Sequence, residues 1–504
     1  MASSALEVLE KLKAAPVMDN PHLAKANGTF LQSGSATGGL TYYDLDLGAK
    51  LVYPVLTPLR NVIPRVSGRG GIQASWRAIT AINASGMRVG VSESNRGGVQ
   101  AVATHDYVAS YKGIGIESTA SFEAFYAAQG FDDIRALAAK TGLESLMLSE
   151  ESMILGGNNS LPLGTPPIPT LTASSTGGSL AAQSWSVLVV PLSHDGMINA
   201  SVTGGVQQLI QRTNADGSID KFGGGAGYKS SNAIVTTTGT TSSIAATVTA
   251  VPGALGYAWF WGAPNLESLG AITSINSVSI IGAATGTLKA TSLNNSTSAT
   301  DNTDYSTNNL AFDGLLTQAM KQGSGAYYAI QPMGTPGIGT PLTSDAAGGI
   351  VEIDLALKSM WDNFRLSPDT IWVNSQEALN LSKKILAGSS SSAQRFVFNS
   401  EQGMLGGGIM VRTYLNRFSM QGASILDIKI HPNMPAGTLL MTTSQLPYPL
   451  SNVGNVMQIR TRQDYYQVEW PLRSRKYEYG VYADEVLQHY FPPSLAVITN
   501  IGNA

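Results

Sequence analysis

The chain contains no cysteine and little charge. The absence of cysteine excludes disulfides, thiolate nucleophiles and cysteine-ligated zinc. Charged residues make up only 13% of the 504 residues, whereas the average soluble protein has about 25%. A surface with so little charge would be poorly soluble if all of it met water. We therefore expect much of it to face other subunits.

An excess of basic charge and a long apolar run are also missing. The formal net charge of -3 lacks the basic balance with which nucleic-acid binders neutralise phosphates, so tight DNA binding is not expected. Near the N-terminus, Glu7 and Glu10 interrupt the apolar core that a signal peptide needs. No apolar run is long enough to span a bilayer. We expect synthesis in the cytosol and no membrane partner.

The motifs of common catalytic, nucleotide and metal sites are absent. The sequence has no G-x-x-x-x-G-K-[ST] phosphate loop, no G-x-S-x-G elbow and no complete dinucleotide fingerprint. Its five histidines are scattered singly, without the spacing of a metal site. Residues 214–217 partly resemble a calcium loop, but Arg212 and Gly223 would occupy ligand positions that require oxygen, so a turn is favoured. We predict no catalytic residue, no metal site and no cofactor.

The first positive feature is a pair of extended runs, IQASWRAITAI at 72–82 and VATHDYVASY at 102–111. Both alternate apolar and polar residues, which is typical of β-strands. Between them lies the turn-rich segment SGMRVGVSESNRGG at 85–98. The pattern predicts a two-stranded ribbon, which is marginally stable in water because one face cannot find enough apolar cover. We expect the cover to come from a neighbouring molecule.

A long amphipathic helix is predicted next, over residues 131–155, ending at Gly156-Gly157-Asn158. It follows a shorter helix, FEAFYAAQ, for which Ser118, Thr119 and Ser121 are candidate N-caps. The apolar residues of the long helix fall close to one stripe, consisting of Ile134, Leu137, Ala138, Leu146, Met147, Met153 and Ile154. We place Glu144, Glu150 and Glu151 off this stripe.

The composition changes after Gly157. About 150 residues become rich in Thr, Ser, Gly and Asn, with short strand-like runs between turn signals. Their spacing favours a small β-sandwich of immunoglobulin-like type, inserted between two parts of the main domain. A polar linker at 294–309 leads back out of it.

Helices and mixed strands return after the linker. A helix over the 350s, with Ile353, Leu357 and Met360 on one face, is expected to be capped by Thr343 or Ser344 and ended by Ser367-Pro368. The strand TIWV follows from Thr370. Asn374 then caps another helix, with Glu377 at the spacing of a capping box. The later runs GGIMVRTY, ILDIKI and VMQIR read as strands.

Arginines and tyrosines interleave between 460 and 479, a mixture that can bind single-stranded nucleic acid. Because acidic residues lie within the same stretch, we favour a strand pair with ion pairs between subunits. The ribbon arginines are expected to meet helix carboxylates of a neighbour, although a solvated charge pattern is an open alternative for any one pair. The candidates for contacts between subunits are Arg77, Arg88, Glu93, Arg96, Glu144, Glu150, Glu151, Arg473 and Arg475.

The order of these parts resembles the tailed-bacteriophage major capsid protein family, whose fold is shared with herpesvirus shell proteins. The segments that carry the resemblance are SESNRGG, THDYVASYKGIGIE, FDDIRALAAKTGLESLMLSEESMILGGN, SPDTIWVNSQEALNL, IHPNMPAGTLLMTT and YEYGVYADEVLQHYFPPSLAVITNI. The resemblance implies an α+β phage major-capsid fold with an inserted all-β sandwich domain. The implied parts are an N-terminal arm (1–50), an E-loop region (51–117), the spine helix of the peripheral domain (118–158), the inserted immunoglobulin-like domain (159–310), the peripheral domain with a long helix (311–366), an axial domain (367–449) and the C-terminal strands of the peripheral domain (450–504).

By the same resemblance, the chain would assemble into hexamers and pentamers of an icosahedral shell around double-stranded DNA, which it would touch weakly and without sequence preference. A separate scaffolding protein, a portal and a maturation protease are the implied partners, with a decoration protein or a glycan at the insertion. Some relatives join subunits through an E-loop lysine, but no lysine occurs between Leu51 and Tyr111, so that cross-link is not expected.

Two alternatives stay open. Another self-assembling surface or tail protein, such as a sheath or an adhesin, would also use Gly/Thr-rich strands. A glycan-degrading enzyme would need a pair of carboxylates, for which Asp313 and Asp354 are candidates.

Overall fold

The computed structural model describes residues 50–82, 90–214, 216–298, 301–387, 411–420 and 424–503. The helices in these ranges are α1 (Pro58–Val62), α2 (Phe122–Ala127), α3 (Ile134–Gly156), α4 (His194–Asn199), α5 (Leu315–Met320), α6 (Val351–Phe364) and α7 (Ser375–Ala387). Together with the sheets below, they confirm the α+β class. Of the helices in the described ranges, none has both the length and the apolar character that a membrane crossing requires. The predicted arm, residues 1–49, lies outside the described residues.

The strands up to α2 are β1 (Arg65–Ser67), β2 (Gln73–Ile82), β3 (Val102–Ser110) and β4 (Lys112–Ser121). Strands β2 and β3 pair antiparallel and form a two-stranded sheet that no other strand joins among the described residues. The predicted ribbon is therefore confirmed. We call β2 and β3 together the ribbon.

Between α3 and α5 the described residues form nine further strands. They are β5 (Thr170–Ser174), β6 (Ser184–Leu192), β7 (Leu209–Thr213), β8 (Ile219–Gly223), β9 (Ala233–Thr236), β10 (Ser243–Thr247), β11 (Gly256–Gly262), β12 (Ser268–Thr273) and β13 (Ser277–Ile280). One sheet has the order β13-β10-β5 and a second has the order β12-β11-β6-β9, while β7 and β8 form a separate two-stranded sheet. A cluster of buried residues drawn from both larger sheets fills the space between them. This region is therefore a β-sandwich, as predicted.

The strand order of the sandwich is not the immunoglobulin one. An immunoglobulin constant-type domain places its first, second, fourth and fifth strands in one sheet. Here, leaving aside the β7–β8 hairpin, one sheet holds the first, fourth and last strands and the other holds the remaining four. The predicted immunoglobulin-like type is thus wrong. Alternation and spacing predict strands, but long-range pairing decides which strands are neighbours.

The larger sheet of the sandwich is buried on both faces. Every residue of β6 after Ser184 is buried, although a sandwich strand normally alternates between core and solvent. The reason is a second apolar cluster on the outer face, which joins Leu188 and Phe260 of the sheet to Val206 and Leu293 from the connecting segments. The insertion therefore has a core on each side of this sheet.

The remaining strands are β14 (Tyr327–Ile330), β15 (Thr370–Val373), β16 (Thr413–Asn416), β17 (Ser424–Ile430), β18 (Leu439–Thr442), β19 (Met457–Glu469), β20 (Lys476–His489) and β21 (Ala496–Thr499). Six of them form one sheet, in the order β14-β21-β18-β15-β17-β16. This sheet combines strands from the predicted axial segment with β14 and β21, which we had assigned to the peripheral domain. The boundaries predicted at 367 and 449 therefore do not coincide with a boundary between sheets.

A second mixed sheet, of order β1-β19-β20-β4, lies against α3. Strand β1 pairs parallel with β19, and β20 pairs antiparallel with both β19 and β4. One apolar cluster joins these elements; it includes Leu59 of α1, Ala74 at the base of the ribbon, Ile154 of α3 and Leu487 of β20. This packing fixes the base of the ribbon on the body of the chain. We call this base, which includes Ala74 and Ala109, the root.

Two helices begin directly after a side chain that accepts hydrogen bonds from their first backbone amides. The long helix begins at Ile134, three residues later than predicted, because the Asp133 carboxylate accepts hydrogen bonds from the amides of Arg135 and Ala136 at 3.0 and 3.3 Å. Ser121 caps α2 as predicted, since its hydroxyl accepts from the amide of Ala124 at 3.1 Å.

The predicted ends of α6 are wrong. The residue before the helix is Ile350, which provides no side-chain cap. The helix ends at Phe364, and the next residue, Arg365, has a left-handed conformation, φ 55°. Asn374 caps α7 as predicted, by accepting from the amide of Gln376 at 2.9 Å. Glu377 does not close a capping box; its buried carboxylate accepts instead from the amide of Gly437 at 3.1 Å.

Candidate subunit interface

The ribbon has two unequal faces because its pairing shifts at Thr80. Ile79 lies opposite Thr104, but Ala81 lies opposite Ala103, so Thr80 is an extra residue in its strand. Side chains normally alternate between the faces of a strand, which would send residues 79 and 82 to opposite sides. The bulge instead returns Ile82 to the face of Ile79. We call this the outer face; it consists of Ser75, Arg77, Ile79 and Ile82 on β2 and Val102, Thr104, Asp106 and Val108 on β3.

Most of the apolar surface of the outer face is open to solvent. Ile79, Ile82, Val102 and Val108 are 66%, 56%, 52% and 62% exposed. Single exposed apolar residues are common on soluble proteins, but a contiguous group on one strand pair is typical of an interaction surface. Residues 90–100, in the described part of the connection between the strands, are exposed as well. The ribbon thus offers four large aliphatic side chains to another molecule.

The root is the part of the ribbon that packs on the chain itself. Ala74 is buried, and the Trp76 ring meets the Tyr490 ring edge-on at 5.7 Å. Every residue of β2 after Ala78 is exposed, and every residue of β3 except Ala109 is exposed as well. Since ten residues of extended strand span about 33 Å, most of the ribbon extends away from its own chain.

Arg77 forms an ion pair with Asp106 directly across the ribbon. Its Nε and a terminal nitrogen donate to the two carboxylate oxygens at 2.6 and 2.7 Å. The pKa of Asp106 is lowered chiefly by the hydrogen bond from Arg77, and the pKa of Arg77 is raised by the same contact. Both side chains are well exposed. The polar centre of the outer face therefore has its charge paired within the chain.

The other predicted contact residues on loops are exposed. Glu93 and Arg96 lie in the connection of the ribbon, and Arg473 lies in the turn between β19 and β20. Arg475, next to that turn, forms an exposed ion pair with Glu123 at 2.8 Å. Arg88 lies outside the described residues. As contacts between subunits, all of these residues stay predictions.

The glutamates of α3 do not share one environment, contrary to our expectation. Glu144 is near the surface and lies 3.9 Å from Lys140, one turn earlier on the helix. Glu150 and Glu151 are completely buried. Both carboxylates bind groups of their own chain, so the placement of these two residues off the apolar stripe, facing a neighbour, is wrong.

Glu151 caps the N-terminus of α1. Its two carboxylate oxygens accept from the amides of Leu59 and Arg60 at 2.8 and 2.7 Å. His431 Nε2 lies 2.6 Å from the same carboxylate, and the amide of Asn433 donates to His431 Nδ1 at 3.1 Å. Because Nδ1 accepts, the proton of the neutral ring is on Nε2, which donates to Glu151. Three donors therefore hold this carboxylate.

Glu150 belongs to a group that we call the buried charge cluster, which consists of Arg60, Arg65, Glu150, Asp464, Tyr465 and Glu485. Arg60 Nε donates to Glu150 at 3.0 Å, and Arg65 and the Tyr465 hydroxyl also donate to it. Arg65 donates further to Asp464 at 2.8 Å and to Glu485 at 2.6 Å. One arginine is thus shared among three carboxylates, of which Glu150 and Glu485 are fully buried.

Burial and crowding of charge shift the pKa values in this cluster. Burial, followed by the charge of Glu150, raises the pKa of Glu485 from 4.5 to about 8, although Arg65 opposes the shift. Burial and the neighbouring Glu150 also raise the pKa of Tyr465. Burial disfavours the charge of Arg65, but the carboxylates of Glu485 and Glu150 outweigh it, so the pKa of Arg65 is raised.

The buried charge cluster was missed in the sequence, although one signal pointed to it. Glu150 lies four residues after Leu146 and four before Ile154, which places it on the same helical face as these buried residues. From the sequence we instead place Glu150 off the apolar stripe and at a contact between subunits, and carboxylates are indeed rarely buried within a chain. Arg60 and Arg65, which compensate the charge, lie in α1 and β1, and no local sequence pattern connects these two short elements to α3.

The interleaved arginines and tyrosines do form a strand pair, β19 with β20, as predicted. Their ion pairs lie within the chain: Arg462 meets Asp484 at 2.9 Å, and Arg135 of α3 meets Glu469 at 3.0 Å. Tyr466 and Tyr482 stack on each other across the strands at 5.8 Å. These contacts favour a structural role for the stretch over nucleic-acid binding.

The carboxylates considered for a hydrolase are engaged in structural contacts. Asp313 accepts from the amides of Asn159 and Ser160 at 2.8 and 3.0 Å, next to the point where the chain enters the insertion. Asp354 accepts from the Tyr414 hydroxyl at 2.7 Å. Within the described parts of the chain, no three histidine or carboxylate side chains are placed to hold a metal ion.

No protein-family model and no curated protein matches the chain. Among solved structures, the chain is similar to the capsid of a native GTA particle, at 9% identity over 92% of this chain and 97% of that one, with a TM-score of 0.40. It is also similar to Gordonia phage Cozz, at 8% identity over 94% and 98% of the two chains with a TM-score of 0.39. A third is the SrpI encapsulin of Synechococcus elongatus, at 9% identity over 91% and 93%, with a TM-score of 0.35.

Proposed function

We propose that this chain is the major capsid protein of a tailed bacteriophage, which self-assembles into hexamers and pentamers and closes an icosahedral shell around double-stranded DNA. The observation that carries the proposal is the outer face of the ribbon. Its aliphatic residues are exposed although the rest of the chain buries large apolar cores. In the proposal the ribbon is the E-loop, α3 is the spine helix, and a second copy of the chain covers the outer face.

The apolar surface of the ribbon has a magnitude suited to assembly. Burying a fully exposed Ile or Val side chain contributes about 1.5 to 3 kcal/mol, and the four of the outer face are each more than half exposed. Their burial would contribute about 3.5 to 7 kcal/mol per ribbon. Because association costs at least about 4 kcal/mol in lost motion, one ribbon contact is weak alone. Repetition of this ribbon contact around a closed ring of subunits would make the assembly stable.

Further parts of the proposal concern location and partners. The protein would reside in the virion capsid after assembly in the host cytoplasm. A separate scaffolding protein, a portal and a maturation protease would act with it, and the inserted sandwich would bind a decoration protein or a glycan. Contact with packaged DNA would be weak and non-specific, in keeping with the net charge of -3. No catalytic residue, metal or cofactor is proposed.

The proposal is tested with two matched double substitutions in the expressed protein. Ile79→Ser with Ile82→Ser removes the centre of the outer face. Ile234→Ser with Ile281→Ser makes the same chemical change at two sites of the sandwich that are 58% exposed. Electron microscopy and sedimentation should show spherical shells for the unmodified chain and the sandwich variant. The ribbon variant should remain as small species with an unfolding free energy within about 0.5 kcal/mol of the unmodified chain.

The deletion of residues 85–98 should likewise give a folded protein that does not assemble. Normal closed shells from the ribbon variant or from this deletion would contradict the assignment of the E-loop. Tubes or flat sheets from the unmodified chain would instead favour a sheath or adhesin.

A further inference from the structure

Residues 57–67 connect to the root of the ribbon and are held on the body by two kinds of contact. Leu59 and Ile63 are buried in the apolar core. The polar contacts are the Glu151 cap on α1 and the buried charge cluster, both described above. Because β1 leads within six residues into β2, the position of this segment sets where the ribbon leaves the body.

Glu485 is the least satisfied carboxyl group of the buried charge cluster. Its Oε2 accepts from Arg65 at 2.6 Å, but its buried Oε1 has no partner in the described structure. Arg65 serves Glu150 and Asp464 as well, and Arg60 binds Glu150 rather than Glu485. A buried carboxylate oxygen without a donor is costly, whereas a protonated carboxyl group carries no charge to compensate.

We propose that Glu485 holds a proton when residues 57–67 are docked, beside the carboxylate of Glu150, and that this proton acts as a latch on the root of the ribbon. Loss of the proton to solvent leaves two adjacent buried carboxylates that share one arginine. Their repulsion favours release of the segment that carries Arg60 and Arg65, which lets water reach both carboxylates. The latch is a property of the single chain and does not depend on the proposed function.

The other charged and titratable groups around Glu485 neither compensate its charge nor take over its titration near neutral pH. Lys112 lies directly opposite on β4, but its ammonium donates to the carbonyl of Asn309. The neighbour on the other side, in β19, is the uncharged Thr461. His489 lies four residues along β20, and burial lowers its pKa to about 3, so it stays neutral near neutral pH. Tyr465 donates to Glu150, and burial raises its pKa.

The direction of the pH dependence follows from the two states of Glu485. Docked, the group binds a proton below a pKa of about 8, whereas a solvated glutamate binds one only below about 4.5. Between these values release expels one proton, so each pH unit makes release about tenfold more frequent. Above about pH 8 both states are ionised and the dependence levels off. The latch is therefore strong in mild acid and weakens as the pH rises.

Hydrogen exchange of the purified full-length chain tests the latch at the amides of Leu59 and Arg60, which donate to Glu151. After correction for the intrinsic rate, their protection should fall about 50-fold between about pH 6 and about pH 8, because Glu485 is already half ionised in the docked state at pH 8. In the Glu485→Gln variant, whose side chain does not ionise, the protection of these two amides should stay constant between the two pH values. Glu377→Gln is the matched control, because it changes another buried glutamate with a raised pKa, distant in sequence from the latch. Its Leu59 and Arg60 amides should keep the pH dependence of the unmodified chain.

Three results would overturn the latch. One is constant protection in the unmodified chain across this pH range, a measurement that needs no variant. The second is an undiminished pH dependence in Glu485→Gln. The third is an equal loss of protection at the amides of the buried strand β11, since this would show that the whole chain opens instead of residues 57–67.

Discussion

Substitution of Glu151 by glutamine should destabilise the chain strongly although it changes neither size nor shape. The carboxylate has no exposed surface and accepts from Leu59, Arg60 and His431 at 2.8, 2.7 and 2.6 Å. Glutamine keeps one oxygen and turns an amide N–H toward at least one of these donors. A lost bond to a charged group contributes about 1.5 to 3 kcal/mol, and the stranded donor adds about 1. We therefore expect the free energy of unfolding to fall by about 3 kcal/mol.

The control is Glu144→Gln on the same helix. Glu144 forms an ion pair with Lys140 at 3.9 Å near the surface, so the expected loss is below about 0.5 kcal/mol. Urea unfolding followed by circular dichroism and tryptophan fluorescence measures both. For a slope of about 3 kcal/mol per molar, Glu151→Gln should lower the midpoint by about 1 M. Equal midpoints for the two variants would refute the burial and capping role of Glu151.

Two further predictions concern Asn158, where the chain enters the insertion, and the buried His489. Asn158→Ala should lower the free energy of unfolding by about 2 to 3 kcal/mol, because its buried amide bonds Leu161 twice and the carbonyl of Ser306 at 2.8 to 2.9 Å. The exposed neighbour Asn159 is the control, and a similar melting temperature for both alanine variants would contradict this role. His489, with its pKa lowered by burial to about 3, resists protonation when folded. Stability should therefore fall as the pH drops from about 6.5 toward 3, by up to about 1.4 kcal/mol per pH unit. His489→Leu should lack that part of the acid dependence, and an unchanged profile would exclude it.

The sequence by itself determined the local elements of this protein. Alternation along 72–82 and 102–111 predicted the ribbon, and the period of 131–155 predicted α3, because these patterns arise from side-chain geometry within one strand or helix. The short buried strand at 370 and the caps Ser121 and Asn374 were predicted for the same reason. Each depends on residues a few positions apart.

Only the tertiary structure decided the environment of Glu150 and Glu151 and the order of strands in the sandwich. The donors that make burial of the two glutamates tolerable come from 85 to 92 positions away in residues 59–65, and from 280 positions away in His431. The bulge at Thr80, which joins Ile79 and Ile82 on one face, likewise depends on pairing with β3. Local patterns carry no information about such partners, because the partners meet only when distant segments pack together.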